Sequence, residues 1–201
     1  NMQTKELERI NHFAHVNYTA SAPVIGKLLC INGAGIQYRW MKNNTGAESY
    51  NHMNQLAGAA PIGANGLCVM PFGNGAERML GNKNIEARML NIKLNKHDQG
   101  SIYRATLEGI AFSFIYGMKF IKSDNTPLHV IRAGNDNLFR SEVFSNTIAS
   151  LIGQEIEIYN TTGAIGAARA ASVINTDLAA FGARISKNDY VSSYTPQKNA
   201  D

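Results

Sequence analysis

Apolar and polar positions along this chain recur with periods near 2 and near 3.6, and the switches between them delimit its elements. Residues 10–18 (INHFAHVNY) alternate loosely and read as a strand. An apolar run opens at Pro23. From about Ala34 to Asn44 the period is helical, with Ile36, Trp40 and Met41 as expected buried positions. Gly46 to Ala60 reads as a short helix burying Tyr50, Met53 and Leu56, and Pro61 to Asn65 as a loop. Gly66 to Phe72 (GLCVMPF) is then a buried strand, Gly73 to Arg78 a Gly-rich loop, and Ile85 to Leu94 a further strand. The longest signal runs from Asp98 to Lys122. Tyr103, Leu107, Ala111, Phe114, Met118 and Ile121 recur at helical spacing, while Arg104 and Glu108 form an i,i+4 pair on another face. Gly109 and Gly117 weaken this helix, which close contact with a neighbouring element would explain.

From Leu128 the pattern becomes strand, polar turn, helix, strand, turn, helix. Leu128 to Ile131 is a short β-rich run, bounded by Pro127 and by a turn over Arg132 to Asn137. A helix follows with Phe144, Ile148, Leu151 and Ile152 on one face. Ser141 and Glu142 suit its start, and Gly153 suits its end. Glu155 to Tyr159 alternates as a strand. Thr161-Thr162-Gly163 leads into a helix so rich in Ala and Gly that close packing on a neighbour is expected. Such units build parallel sheets, and ligands of open α/β sheets sit beyond the carboxyl ends of the strands. Gly134 would let a ligand approach the backbone there, although the turn on its own reads as an ordinary strand-to-helix connection. Beyond Ile174 the pattern weakens to a last helical turn or two over Asp177 to Gly182 and a polar tail from Ile185 to Asp201.

Composition narrows the class. With 201 residues and 44% hydrophobic content, the chain can bury a core and reads as one domain. The net charge of +4 is mild, and no run of Lys or Arg is interleaved with aromatics as a nucleic-acid groove requires. Cys30 and Cys68 lie far apart in apolar contexts and read as buried thiols of a reducing compartment. His12 and His15 would point to opposite faces of a strand, against a metal site. The N-terminal residues lack a signal-peptide core, and no segment reaches the length of a membrane span, so a cytoplasmic protein is expected.

Several short motifs stand in a fixed order. They are Gly33-Ala34-Gly35-Ile36-Gln37, then Pro71-Phe72 followed by Gly75-Ala76-Glu77-Arg78, then TLEGIAFSFIYGM, and finally the turn at Gly134 with Gly163-Ala164-Ile165-Gly166-Ala167-Ala168. In this order, from about His12 to Val173, the chain resembles the C-terminal domain of the FGGY carbohydrate kinases, most closely the xylulokinase branch. The resemblance implies an α/β fold of the actin-like ATPase (ribonuclease-H-like) type, with a mixed sheet flanked by helices. It implies a nucleotide pocket touched by Gly33 and Gln37 and by Ala133, Gly134, Asn135 and Asn137. For Glu77 and Arg78 two roles stay open, ligand binding or bracing the loop. ATP and Mg2+ are the implied cofactors and an N-terminal sugar-binding domain of the same protein the implied partner. A homodimer is left open.

A sugar kinase also needs a base for the hydroxyl and donors that cradle phosphate. In the resembled family these come from a G-D-[QN] segment and a G-T-S turn, and neither motif occurs in this sequence. Asp98, Asp124, Asp136 and Asp177 stand in other contexts, so none is assigned as catalytic. The expectation is a catalytic base upstream of Asn1 and a chain that is silent alone. The alternative is a non-catalytic nucleotide- or ligand-binding regulatory protein retaining the fold, which the glycine-poor turn Arg132-Ala133-Gly134 favours.

Overall fold

The structure is a computed structural model that describes residues 9–15, 19–121, 128–171 and 189–197. Where the hydrophobic pattern reads one domain, the chain forms two compact units, Asn1–Pro127 and Leu128–Asp201. The expected helical turn at residues 177–182 lies outside the described residues.

In the first unit, strand β1 (Asn11–Ala14) pairs antiparallel with β2 (Ile25–Leu28). Helices α1 (Ala34–Asn44) and α2 (Tyr50–Ala59) follow, then strands β3 (Cys68–Phe72) and β4 (Glu86–Leu90) in an antiparallel pair. Helix α3 (Gln99–Ile121) is the centre of the unit, with Tyr103, Leu107, Ile110 and Ala111 fully buried. Its start is fixed by the Asp98 carboxylate, which accepts from the Ser101 N–H and hydroxyl, both at 2.8 Å. The two glycines inside α3 have the expected cause. A Cβ at Gly109 would sit 3.0 Å from the Val69 carbonyl carbon and closer still to its oxygen, and one at Gly117 would run into Leu29 and Met79.

The face of α3 bearing Arg104 and Glu108 is buried too. Their side chains, 10% and 6% exposed, meet at 2.8 Å. Arg104 also donates to the Ala57 and Ala60 carbonyls at the end of α2, and Glu108 accepts from the Gly63 N–H. That amide opens a tight turn in which Gly63, Ala64 and Asn65 all have positive φ. The ion pair therefore ties three segments together and satisfies carbonyls that the helix end leaves open.

Several burial expectations fail, Leu151 (38% exposed) among them. Trp40 is 51% exposed and Ile36 only partly covered, because the buried face of α1 is Ala34, Gln37, Tyr38 and Met41. Tyr50, 42% exposed, lies stacked on Tyr38. Cys30 and Cys68 are both exposed free thiols; Cys68 opens β3, where only Val69, Pro71 and Phe72 face inward.

In the second unit, β5 (Ile131–Gly134) runs parallel to β6 (Ile156–Tyr159), and β7 (Tyr190–Tyr194) pairs antiparallel with β6. The three strands make a mixed sheet in the order β5-β6-β7. Helix α4 (Glu142–Ile152) connects β5 to β6 and buries Phe144 and Ile148. As expected, Ser141 caps it by accepting from the Phe144 N–H at 3.4 Å, and Gly153 ends it with φ of 72°. The sheet holds two corrections. The strand does not stop at Ile131 but runs through Gly134, because Arg132, Ala133 and Gly134 continue the register against Glu157, Ile158 and Tyr159. Residues 190–194, read as part of a polar tail, form β7. Helix α5 (Gly163–Ala171) departs from expectation as well. Residues 163–168 are exposed, and a Cβ at Gly163 or Gly166 would meet nothing within 4 Å. Small side chains permit close packing without enforcing it.

Candidate functional site

Among the expected contact residues, Gly33, Gln37, Glu77 and Arg78 lie in the first unit. Gly33 is the residue before α1, with φ of −79° and ψ of −17°, so left-handed backbone does not explain it. Close approach does. An added Cβ would fall on the Pro71 carbonyl, 2.7 Å from its carbon and 3.1 Å from Phe72 Cα. Helix α1 has no side-chain cap of its own and no acid in its first turn. The fully buried Glu77 supplies the missing acceptor, taking the Gly33 N–H at 2.8 Å and the Asn32 N–H at 3.0 Å. Two more bonds knit the same loops together, Asn32 Nδ2 donating to the Ala76 carbonyl at 2.9 Å and Asn74 Nδ2 to the Asn32 carbonyl at 3.0 Å. Glu77 thus braces the loop through backbone amides, and Arg78 opens a single 3-10 turn, Arg78–Leu80.

One helical turn beyond Gly33, Gln37 is 7% exposed. It lines a groove of about 360 Å³ between α1 and the β3–β4 hairpin, together with Ile36, Trp40, Gly73, Ala87, Arg88 and Met89. Among the described residues none hydrogen-bonds the Gln37 side chain, and its amide atoms are not among the buried unpartnered ones, so they face the solvent of the groove. Its acceptor and two donors are therefore open to whatever enters the groove. The sequence pointed to Gln37 but not to Trp40 or Arg88. Trp40 was read as core, and Arg88 on an alternating strand carried no signal beyond its charge.

The remaining candidates lie in the second unit, around the turn after β5. Ala133 and Gly134 are strand residues, and the turn itself is Asn135 to Asn137. The Asn135 N–H donates to the Tyr159 carbonyl at 2.7 Å, and Asn137 has φ of 47°, a left-handed conformation that Asn tolerates. A Cβ at Gly134 would stand 2.6 Å from the Thr161 carbonyl oxygen and 3.3 Å from Asp136 Oδ1. The glycine's first demonstrable role is thus to let the β5 and β6 turns meet. Beside them sits a cluster that sequence reasoning missed. The Glu157 carboxylate accepts from the Tyr159 hydroxyl at 2.7 Å and from Arg132 Nε at 3.0 Å. Those two bonds, Tyr159 first, hold Glu157 below the usual carboxylate range, and the carboxylate in turn raises the Tyr159 phenol. Residues 25 apart share this contact only because β5 and β6 are in register.

The fold is that of sugar and glycerol kinases. The structure matches xylulose kinase from Rhodospirillum rubrum with a TM-score of 0.74 at 21% identity, over 96% of this chain and 38% of that one. It matches glycerol kinase from Plasmodium falciparum, solved with ADP, with a TM-score of 0.71 at 18% identity, over 94% of this chain and 38% of that one. In sequence, the chain is 31% identical to the xylulose kinase of Haemophilus influenzae over 104 residues, 52% of this chain. No protein-family model matches it. The resemblance to carbohydrate kinases, and to the xylulose kinases among them, is borne out. The chain spans about a fifth of the length of the Haemophilus enzyme, and under two fifths of the solved xylulose kinase from Rhodospirillum. Among the described residues no helix is long and apolar enough to cross a membrane.

Proposed function

We propose that this chain is the C-terminal, nucleotide-side portion of an ATP-dependent sugar kinase with an actin-like core, which moves the γ-phosphate of ATP to a hydroxyl of xylulose. The observation that carries this reading is Gln37. The Gln37 side-chain amide, solvent-accessible and without a hydrogen-bond partner among the described residues, opens onto a groove one turn beyond a glycine that Glu77 holds in place. That pair has the spacing of the nucleotide-contacting Gly and Gln of the resembled kinases, in a chain that shares their fold. Gly33 leaves room at the helix entrance, Glu77 fixes that entrance, and Gln37 reads a polar edge of the nucleotide. The turn at Asn135 to Asn137 is the second nucleotide-contacting segment in this proposal, with Ala133 and Gly134 leading into it.

ATP when bound supplies the phosphoryl group. Mg2+ in kinase sites is held by one or two carboxylates, waters and the nucleotide phosphates. Among the described residues no group of three His, Cys, Asp or Glu side chains stands ready for a metal, and no step is assigned to it. The base that activates the sugar hydroxyl belongs in this proposal to an N-terminal sugar-binding domain, and this chain alone transfers no phosphate. Closure of the two halves would exclude water from the transfer.

Calorimetry with ATP and ADP tests the reading. Gln37→Leu removes an amide that no described residue uses, so the fold should survive while nucleotide affinity falls about fivefold to tenfold, the worth of one hydrogen bond. A chain that takes up neither nucleotide at millimolar concentration would overturn it. The joined protein should then phosphorylate xylulose, and failure on every ketopentose would remove the substrate assignment.

A further inference from the structure

The groove at α1 carries more recognition chemistry than the Gly33–Gln37 pair uses. Arg88 is exposed on β4, and no described residue forms an ion pair or hydrogen bond with its guanidinium. Trp40 is half-exposed on the same groove. With Gln37 this makes three side chains, cationic, aromatic and amide, that face one cavity without a partner. No carboxylate lines that cavity, so its only formal charge is positive. The volume of about 360 Å³ falls at the lower end of small-ligand pockets, the size range of a mononucleotide. Two close approaches shape it. The strand pair sets Arg88 opposite Met70 and Ala87 opposite Pro71, the residue whose carbonyl lies against Gly33. A Cβ at Gly73 would stand 2.8 Å from that of Ala87, so the hairpin closes tightly beneath the groove.

We propose that Arg88 and Trp40 are nucleotide-binding residues of this groove, Arg88 taking the phosphate tail and Trp40 lying against the base. The proposal rests on the nucleotide reading above and extends it to two residues that reading does not use. A guanidinium presents paired N–H donors whose fork matches phosphate oxygens. An indole offers a rigid apolar face to a planar ring. Gln37 then reads the polar edge between them. A ligand with an anionic end and a planar end satisfies all three side chains at once, whereas a neutral sugar leaves the guanidinium unanswered.

Trp40 is the chain's one tryptophan, so its fluorescence reports on this groove alone. Titration with ADP should quench or shift Trp40 emission with the same midpoint that calorimetry finds. Arg88→Gln should weaken ADP about tenfold or more, in line with a charge-assisted bond, and leave adenosine, which has no phosphate, within twofold. Arg88→Lys should recover part of the loss. If ADP binds by calorimetry but Trp40 emission does not move, or Arg88→Gln leaves ADP affinity within twofold or weakens adenosine equally, the proposal fails and the nucleotide reading stands. If ADP gives no binding heat at millimolar concentration, both fail.

Discussion

Two glycines at the entrance of α1 should respond in opposite directions to the same substitution. At Gly33 an ideal Cβ falls 2.7 Å from the Pro71 carbonyl carbon, against the 3.4 Å at which ordinary contact begins, and it overlaps the carbonyl oxygen more severely. The obstacle is backbone on a strand locked to β4, so no flexible side chain can swing aside. Helix and strand would have to part by at least the 0.7 Å difference, which would also strain the Glu77 bonds to the Asn32 and Gly33 amides. Overpacking of a well-filled contact costs about 1–3 kcal/mol, and a backbone clash belongs at or above the top of that range. Gly33→Ala should therefore lower the melting temperature by about 6–12 °C for about 3 kcal/mol. Gly35, two residues on, is exposed with nothing within 4 Å of its added Cβ. There Ala should gain up to about 1 kcal/mol of helix propensity. Thermal unfolding followed by circular dichroism separates the two. A Gly33→Ala melting temperature within about 2 °C of the parent would refute the close-approach argument.

The other expectations use the same assay. Arg104→Met leaves the buried Glu108 charge uncompensated and the Ala57 and Ala60 carbonyls without their donor, so a loss of about 3–5 kcal/mol is expected. Adding Glu108→Leu should recover most of it, and additive losses in the double variant would count against a buried pair. Gly134→Val should destabilise the second unit by driving a side chain into the Thr161 carbonyl. Nucleotide binding lost with it would not by itself mark a ligand contact, and an unchanged melting temperature would contradict the packing. Asp98 is held below the ordinary carboxylate range, first by the Ser101 N–H and then by the Ser101 hydroxyl. Its contribution is present above the unfolded-state value near pH 4 and is lost as the pH falls through the lower folded value. Asp98→Asn should thus cost stability at pH 7 and converge on the parent toward pH 2, and a constant difference across that range would refute the assignment.

How much of this was legible in the sequence depended on whether the determining contact was local. Helix α4 was readable at both ends because a cap and a left-handed glycine act within three residues of the boundary they set. Helix α3 was readable because its period holds for six turns. Strand β5 was misplaced at its end because Arg132, Ala133 and Gly134 carry no β signal of their own. They are extended because β6 pairs with them. Strand β7 was missed for the same reason, since YVSSY is polar enough to pass as a tail until β6 offers it a ladder. Trp40 shows the converse failure. Its hydrophobicity argued for burial, but the face that α1 turns inward is fixed by Gly33 against Pro71 and by Met41 in the core.

The candidate site divides in the same way, and its hidden part did leave a trace. Gly33 and Gln37 could be picked out because the resemblance to the kinases carries both on one short motif; on the residues alone a glycine at a helix entrance reads as packing. Glu77, which holds that turn, stands 44 residues away and answers backbone amides, so no spacing rule connects them. Beside Arg78 it invited reading as half of an ion pair. Yet α1 begins Gly33-Ala34-Gly35-Ile36, with neither a capping hydroxyl nor an acid in its first turn. Exposed amides at a helix start can be left to water, but Gly33 is buried, and buried donors need acceptors. An uncapped helix start in a position too tight for any side chain therefore demands a carboxylate or carbonyl from elsewhere in the chain. Between the end of α1 and the start of α3, Glu48, Glu77 and Glu86 are the only carboxylates apart from Asp98, and Asp98 caps α3. Glu77 alone follows directly on the loop that leaves Pro71, the residue whose carbonyl lies against Gly33. The absence of a local cap was thus the readable sign of the contact that builds the site.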